Sequence, residues 1–145
     1  MLLNVLIGSA RCGRRREKPD ADARWLTGEI IEESLADSSV LSKVIVLDSR
    51  VEPVTEYHRT PWLERWTIHR IGVPEERAAG VAERFREALD GEHAHAWYAD
   101  FKNEDVHYIA FADEVFRVPR DSEERYAEAI EHNTRLGIPR YQLDF

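Results

Sequence analysis

Apolar residues along this chain recur with two different periods, and the switches between them mark out the elements. Ala78, Val81, Ala82, Phe85, Ala88 and Leu89 are spaced by three and four residues, which is the pattern of one helix face. Val73-Pro74-Glu75-Glu76 opens that helix, with proline where a missing N–H costs nothing and acids where the helix dipole favours them. Asp90-Gly91 ends it. A second helix is predicted from a cap at Asp121, with Glu124 completing a capping box. It runs to Leu136, where Gly137 can take a left-handed conformation, Ile138 can make the accompanying apolar contact and Pro139 blocks continuation. A third helix is read over residues 28–40, with Ile30, Ile31 and Leu35 on one face and Glu29, Glu32 and Glu33 near its start.

Period-two segments lie between these. Residues 43–48 (KVIVLD) form a β-branched run. Residues 64–71 alternate Trp66, Ile68 and Arg70 against Thr67, His69 and Ile71, and the row of Trp66 and Ile68 is expected to face the helices. Residues 96–102 place Trp97, Ala99 and Phe101 on one side and Tyr98 and Asp100 on the other. After a turn at Asn103-Glu104-Asp105 the chain returns over residues 106–111, then turns again into residues 114–118. Pairing across the first turn sets His107 near Phe101. Residues 51–61 read as a loop and residues 142–145 as a short closing strand.

From residue 64 onward the order is strand, helix, strand, strand with an extra hairpin, helix, strand. That is the β-α-β-β-α-β plan of ferredoxin-like folds. The expected fold class is α+β: a ferredoxin-like two-layer sandwich, an antiparallel sheet with its helices on one face, and an added N-terminal helix and strand. Residues 1–24, basic and then rich in Pro and Asp, are expected to be a flexible leader, and residues 25–145 a single α+β domain. Residues 2–7 alternatively form a short strand before an anion-holding loop at residues 8–13, although no Lys-Ser/Thr follows Gly13 as in a P-loop.

Residues 93–118 concentrate aromatic and histidine side chains. Five of the ten Phe and Tyr residues and three of the six His lie there. A sheet with aromatics on both faces rarely leaves one in water, so a homodimer or a bound small molecule is expected on the open face.

The strings WYADF (residues 97–101), FADEVFRV (residues 111–118) and LGIPRYQLDF (residues 136–145) resemble a family of small uncharacterised prokaryotic proteins that end in an LGIP-x-x-QLDF motif. The resemblance spans residues 67–145. It implies one compact domain and a structured C-terminus, and it carries over no catalytic residue.

Charge and composition narrow the classes. A net charge of −8 opposes binding to phosphate backbones, so no nucleic-acid partner is expected. A single cysteine, Cys12, rules out an internal disulfide framework and fits a reducing, cytoplasmic setting. No apolar run approaches the length of a membrane span, so no membrane partner is expected.

Three side-chain groups offer chemistry. His69, Tyr98, Asp100 and Tyr108 are expected to share the open sheet face, where a His–Asp pair and two phenols suit ligand binding or acid–base work. His93 and His95, two apart on a strand, point to one side and with His107 make a candidate set for zinc, nickel or copper. Trp62 and Trp66, interleaved with arginines, have the composition of a base-stacking surface but also carry Glu56 and Glu64, which favours a packed loop. The chain thus reads as a self-associating cytoplasmic module that binds a small ligand, with no cofactor implied. The alternatives are a small enzyme with an acid–base site on the open face and a His-based metal-binding protein.

Overall fold

The computed structural model describes residues 24–143 and residue 145. The leader expected over residues 1–24, apart from Arg24, and the strand and anion loop considered for residues 2–13 lie outside the described residues. The fold is α+β. Its sheet has six strands: β1 (Trp25–Ile31), β2 (Ile45–Pro53), β3 (Arg65–Pro74), β4 (Ala99–Lys102), β5 (Val106–Ala110) and β6 (Val115–Pro119). Every neighbouring pair is antiparallel, in the order β2-β3-β1-β4-β5-β6. Helix α1 (Ala78–Ala88) joins β3 to β4, and α2 (Glu123–Leu136) follows β6.

The strands after β3 and both helices form where the periodicity placed them, with small shifts of their ends. Pro74 precedes a single 3-10 turn before α1, and the cap of α2 is Ser122, whose hydroxyl accepts from the Arg125 amide, instead of Asp121. Gly137 takes φ 90° at the end of α2, where an L side chain would be strained, and Ile138 is buried beside it. β2 runs through Pro53, into the expected loop.

The segment read as a helix over residues 28–40 is instead β1 followed by two short 3-10 turns. Three apolar residues at helical spacing were outweighed by two-sided pairing, since β1 lies between β3 and β4 and buries Leu26 and Ile30 on one face. β1 fills the place between β3 and β4, two strands that run parallel to each other around α1. No strand forms at residues 142–143; a 3-10 turn at Arg140–Gln142 leads the chain across the sheet instead.

The helices are not on one face. β5 is buried along its whole length, and its alternate residues enter different cores. Val106, Tyr108 and Ala110 join Phe101, Ile71, Val73 and the α1 residues Val81, Ala82 and Phe85. Ile109 joins Phe116, Val118 and Ala129 of α2. Helix α1 therefore covers one side of the sheet, and α2 covers the β5–β6 end of the other. The β3 rows are reversed from the expectation: Ile71 and Val73, fully buried, face α1, so Trp66 and Ile68 face the side that α2 leaves partly open.

Candidate functional site

The open part of the α2 side forms a cleft of about 860 Å³. Its floor is the sheet itself: Thr27, Glu29 and Ile31 of β1, Trp66, Ile68 and Arg70 of β3, Asp100 and Lys102 of β4, and Arg50 and Glu52 of β2. The floor can lie flat because Gly28 sits against β4. A Cβ built on Gly28 would lie 2.9 Å from the Phe101 Cα and deep inside the van der Waals radius of the Asp100 carbonyl oxygen.

Two turns make the far wall. Glu56–His58 is capped by Thr55, and His58 accepts from the Thr55 amide through Nδ1 (2.9 Å) while its Nε2 meets Glu52 at 3.2 Å. The Arg140–Gln142 turn docks on it: the Tyr141 hydroxyl donates to the Tyr57 carbonyl (2.9 Å), the Gln142 amide donates to the His58 carbonyl (2.9 Å), and the two tyrosine rings stand 4.5 Å apart. Tyr141 and Gln142 of the motif LGIPRYQLDF thus line the cleft, joined to a turn more than 80 residues away in sequence.

Charged and polar side chains surround an apolar centre of Ile31, Trp66 and Ile68. Arg50 grips Glu29 through both terminal nitrogens (2.9 and 3.2 Å) and lies 3.6 Å from Glu52, while Arg70 pairs with Asp48 at 2.9 Å. Pairs this exposed contribute about 0–1 kcal/mol each, so they set the polarity of the rim more than the stability of the fold. Trp97 at the cleft's end is buried, and its indole N–H has no hydrogen-bond partner among the described residues.

Asp100 is the polar group with structure behind it. His107 Nε2 lies 2.6 Å from Asp100 Oδ2, and His107 Nδ1 lies 3.0 Å from the Tyr126 hydroxyl. The imidazole is fully buried and Asp100 only slightly exposed. Tyr126 comes from α2, so the chain crosses from helix to sheet. Burial pushes the Tyr126 phenol above its ordinary value near 10.0, against the pull of the neighbouring Arg120 guanidinium. With the phenol donating to Nδ1 and Nε2–H donating to the carboxylate, every member is satisfied in one direction. Phe145 closes the group, its ring 5.6 Å from His107, 5.8 Å from Tyr98 and 6.1 Å from Tyr126.

Of the four expected ligand residues, Tyr98 and Asp100 do share the cleft face. His69 and Tyr108 do not. His69 pairs in register with the buried Ile30 and faces the α1 side. Tyr108 lies in the α1 core, stacked on Phe101 at 5.6 Å, with its oxygen accepting from Arg117. The expected metal set also separates. His93 and His95 sit in a 3-10 segment, not a strand; His93 is bonded to Asp90 (2.6 Å) and stacked on Trp62 (4.0 Å), while His107 is buried against Asp100. Burial alone would raise the Asp90 carboxyl, yet its hydrogen bonds from His93 and the Glu92 amide hold it below its ordinary value. Among the described residues, no group of three or more His, Cys, Asp or Glu is placed to hold a metal ion. Trp66 belongs to β3 and ties the preceding loop to the sheet, its N–H donating to Thr60, while Trp62 stays in that loop against His93.

Deleting residues 142–145 removes the Phe145 cap, the Gln142 bond to His58 and the carbonyl that accepts from the Tyr98 hydroxyl at 2.9 Å. The expected outcome is a melting temperature lower by roughly 2–4 °C per kcal/mol lost, read by circular dichroism. An unchanged melting curve would show that this segment does not dock.

Comparison of the chain with family models, with curated proteins and with solved structures gives no match. Among the described residues, no helix is long and apolar enough to cross a membrane.

Proposed function

We propose that this domain is a cytoplasmic small-ligand-binding module whose site is the cleft on the open sheet face, with Asp100 as its polar anchor. The observation that carries this reading is the Asp100–His107–Tyr126 chain, hydrogen bonds through a fully buried imidazole that end at the cleft floor. One carboxylate oxygen is held by His107, and the side chain lines the cleft where a ligand donor would meet it. Binding pockets commonly combine an apolar lining with a few fixed polar groups. The ligand class that fits is a small, flat, mostly apolar molecule bearing an N–H or O–H donor, its ring against Trp66 and Ile68.

An acid–base enzyme working from the same residues is the second reading. It is favoured by the same chain, because a carboxylate backed by an imidazole and a phenol is suited to taking up and passing on a proton. Self-association has less support than a ligand. The aromatics that argued for a homodimer are covered within the chain, Tyr98 by Phe145 and Phe111 by α2. In architecture, β3–α1–β4 with a strand between is the split β-α-β unit of ferredoxin-like folds, and kinship with them is proposed for that half of the sheet. Membership of the LGIP-x-x-QLDF family is proposed with it, since Gln142 lines the cleft and Leu136, Ile138 and Phe145 pack in the core beneath α2.

The test is a backbone-amide NMR screen of small aromatic amines and phenols against the whole chain. Shifts clustering at Thr27, Ile68 and Asp100, and lost in Asp100→Ala, are the expected result. Ligands that perturb only surfaces away from the cleft, or that bind Asp100→Ala equally well, would reject it. Turnover of a bound compound would move the enzyme reading forward.

A further inference from the structure

A second set of side chains lies on the opposite face of the sheet. The register aligns Ile30 of β1, His69 of β3 and Ser49 of β2, all directed to the α1 side. His69 Nδ1 lies 2.6 Å from the Ser49 hydroxyl, and Nε2 lies 2.7 Å from a Glu32 carboxylate oxygen. Glu32 is placed there by the turn that follows β1 directly. The imidazole side chain is only 13% exposed, whereas Ser49 is open to solvent.

We propose that Ser49 is a nucleophile activated by His69 and oriented by Glu32, accepting acyl groups from small esters of short, apolar acids. A serine–histidine contact alone is an ordinary cross-strand hydrogen bond. The third member changes its meaning, because a carboxylate at Nε2 fixes the proton on that nitrogen and leaves Nδ1 facing the hydroxyl as a base. Nucleophile, base and orienting acid in this relation are the signature of covalent acyl transfer, here with the two ring nitrogens in exchanged roles.

The sheet edge beside it would supply the oxyanion donor. Among the described residues β2 is an edge of the sheet, paired with β3. Along such an edge every second backbone N–H points away from the sheet, and in the proposal the one at Ser49 or at an immediate neighbour serves as the donor. Val51, two residues along the same face and 61% exposed, gives an apolar contact for a short acyl chain.

In the step proposed, the Ser49 oxygen attacks the ester carbonyl while its proton passes to His69 Nδ1. The bond to the alcohol oxygen then breaks, and that oxygen leaves with the proton from Nδ1. Water attacks the acyl-serine, gives a proton to His69, and the carboxylic acid departs as the proton returns to Ser49.

The test uses the full chain and p-nitrophenyl acetate, with p-nitrophenol release followed by absorbance and the adduct located by peptide mass mapping. An acetyl group on Ser49, and release slowed at least roughly tenfold in Ser49→Ala and His69→Asn, are expected. Ser49 is exposed, so Ser49→Ala keeps the fold and its far-ultraviolet dichroism serves as the check. Acetylation confined to lysines or the N-terminus, or equal release by Ser49→Ala, overturns the proposal. This outcome is independent of the cleft on the other face.

Discussion

Gly28→Ala is expected to cost about 3 kcal/mol of folding stability, near the upper end for overpacking, because the new methyl group meets backbone and not a movable side chain. The Asp100 carbonyl and the Phe101 Cα stand where the Cβ would be, and neither can turn away without moving β4. β1 and β4 share only the Thr27–Lys102 ladder position, so little pairing holds them together against that push. Gly80 is the control. It lies in α1 with nothing within 4 Å of a built Cβ, so Gly80→Ala is expected to stabilise by about 0.5–1 kcal/mol. Urea unfolding reads both, as a midpoint lowered by roughly 1 M or more for Gly28→Ala and raised for Gly80→Ala. Equal midpoints for the two variants would show that β1 and β4 do not approach as described. Gly28→Ala should also abolish ligand shifts in the cleft, since it displaces the strand that carries Asp100.

That one glycine also explains where sequence reading stopped. In a window holding Ile30, Ile31 and Leu35, a glycine looks like a weak helix position; nothing local says that another strand will cross it. The amphipathic helix at residues 78–88 and the hairpins of β4, β5 and β6 were legible because their patterns are local and periodic. The site was not, and the cause is register. Placing His107 opposite Phe101 puts it on the same face as Phe101, away from Asp100. The actual partner is Lys102, and one residue of slip moves every side chain of the strand to the other face. His107 then stands diagonal to Asp100 and bonds to it, while Tyr108 goes into the α1 core. A usable signal was present: His107 is the one imidazole in the run VHYIAF, and a strand buried on both faces keeps such a group only with partners. His69 shows the same effect from the other side. Reversing the two rows of β3 takes it from Asp100 and gives it to Glu32 and Ser49.

His107→Phe is expected to lose about 2–6 kcal/mol, from two part-buried polar groups, Asp100 and Tyr126, each losing its hydrogen bond to the imidazole at about 1–3 kcal/mol. Phenylalanine keeps the ring volume and the contacts with Tyr126 and Phe145, so the loss reports on hydrogen bonds and not on a cavity. Removing the partners as well separates the two accounts. In His107→Phe with Asp100→Ala and Tyr126→Phe, no stranded donor or acceptor remains, and most of the loss should return, because replacing a whole buried polar set by apolar groups is close to neutral. If the three changes instead add up to a larger loss, the residues act separately and the hydrogen-bonded chain is not the unit proposed. A stable triple variant that no longer binds any cleft ligand would be the strongest result. It would mean that the chain is dispensable for folding and is kept for what Asp100 does at the floor of the cleft.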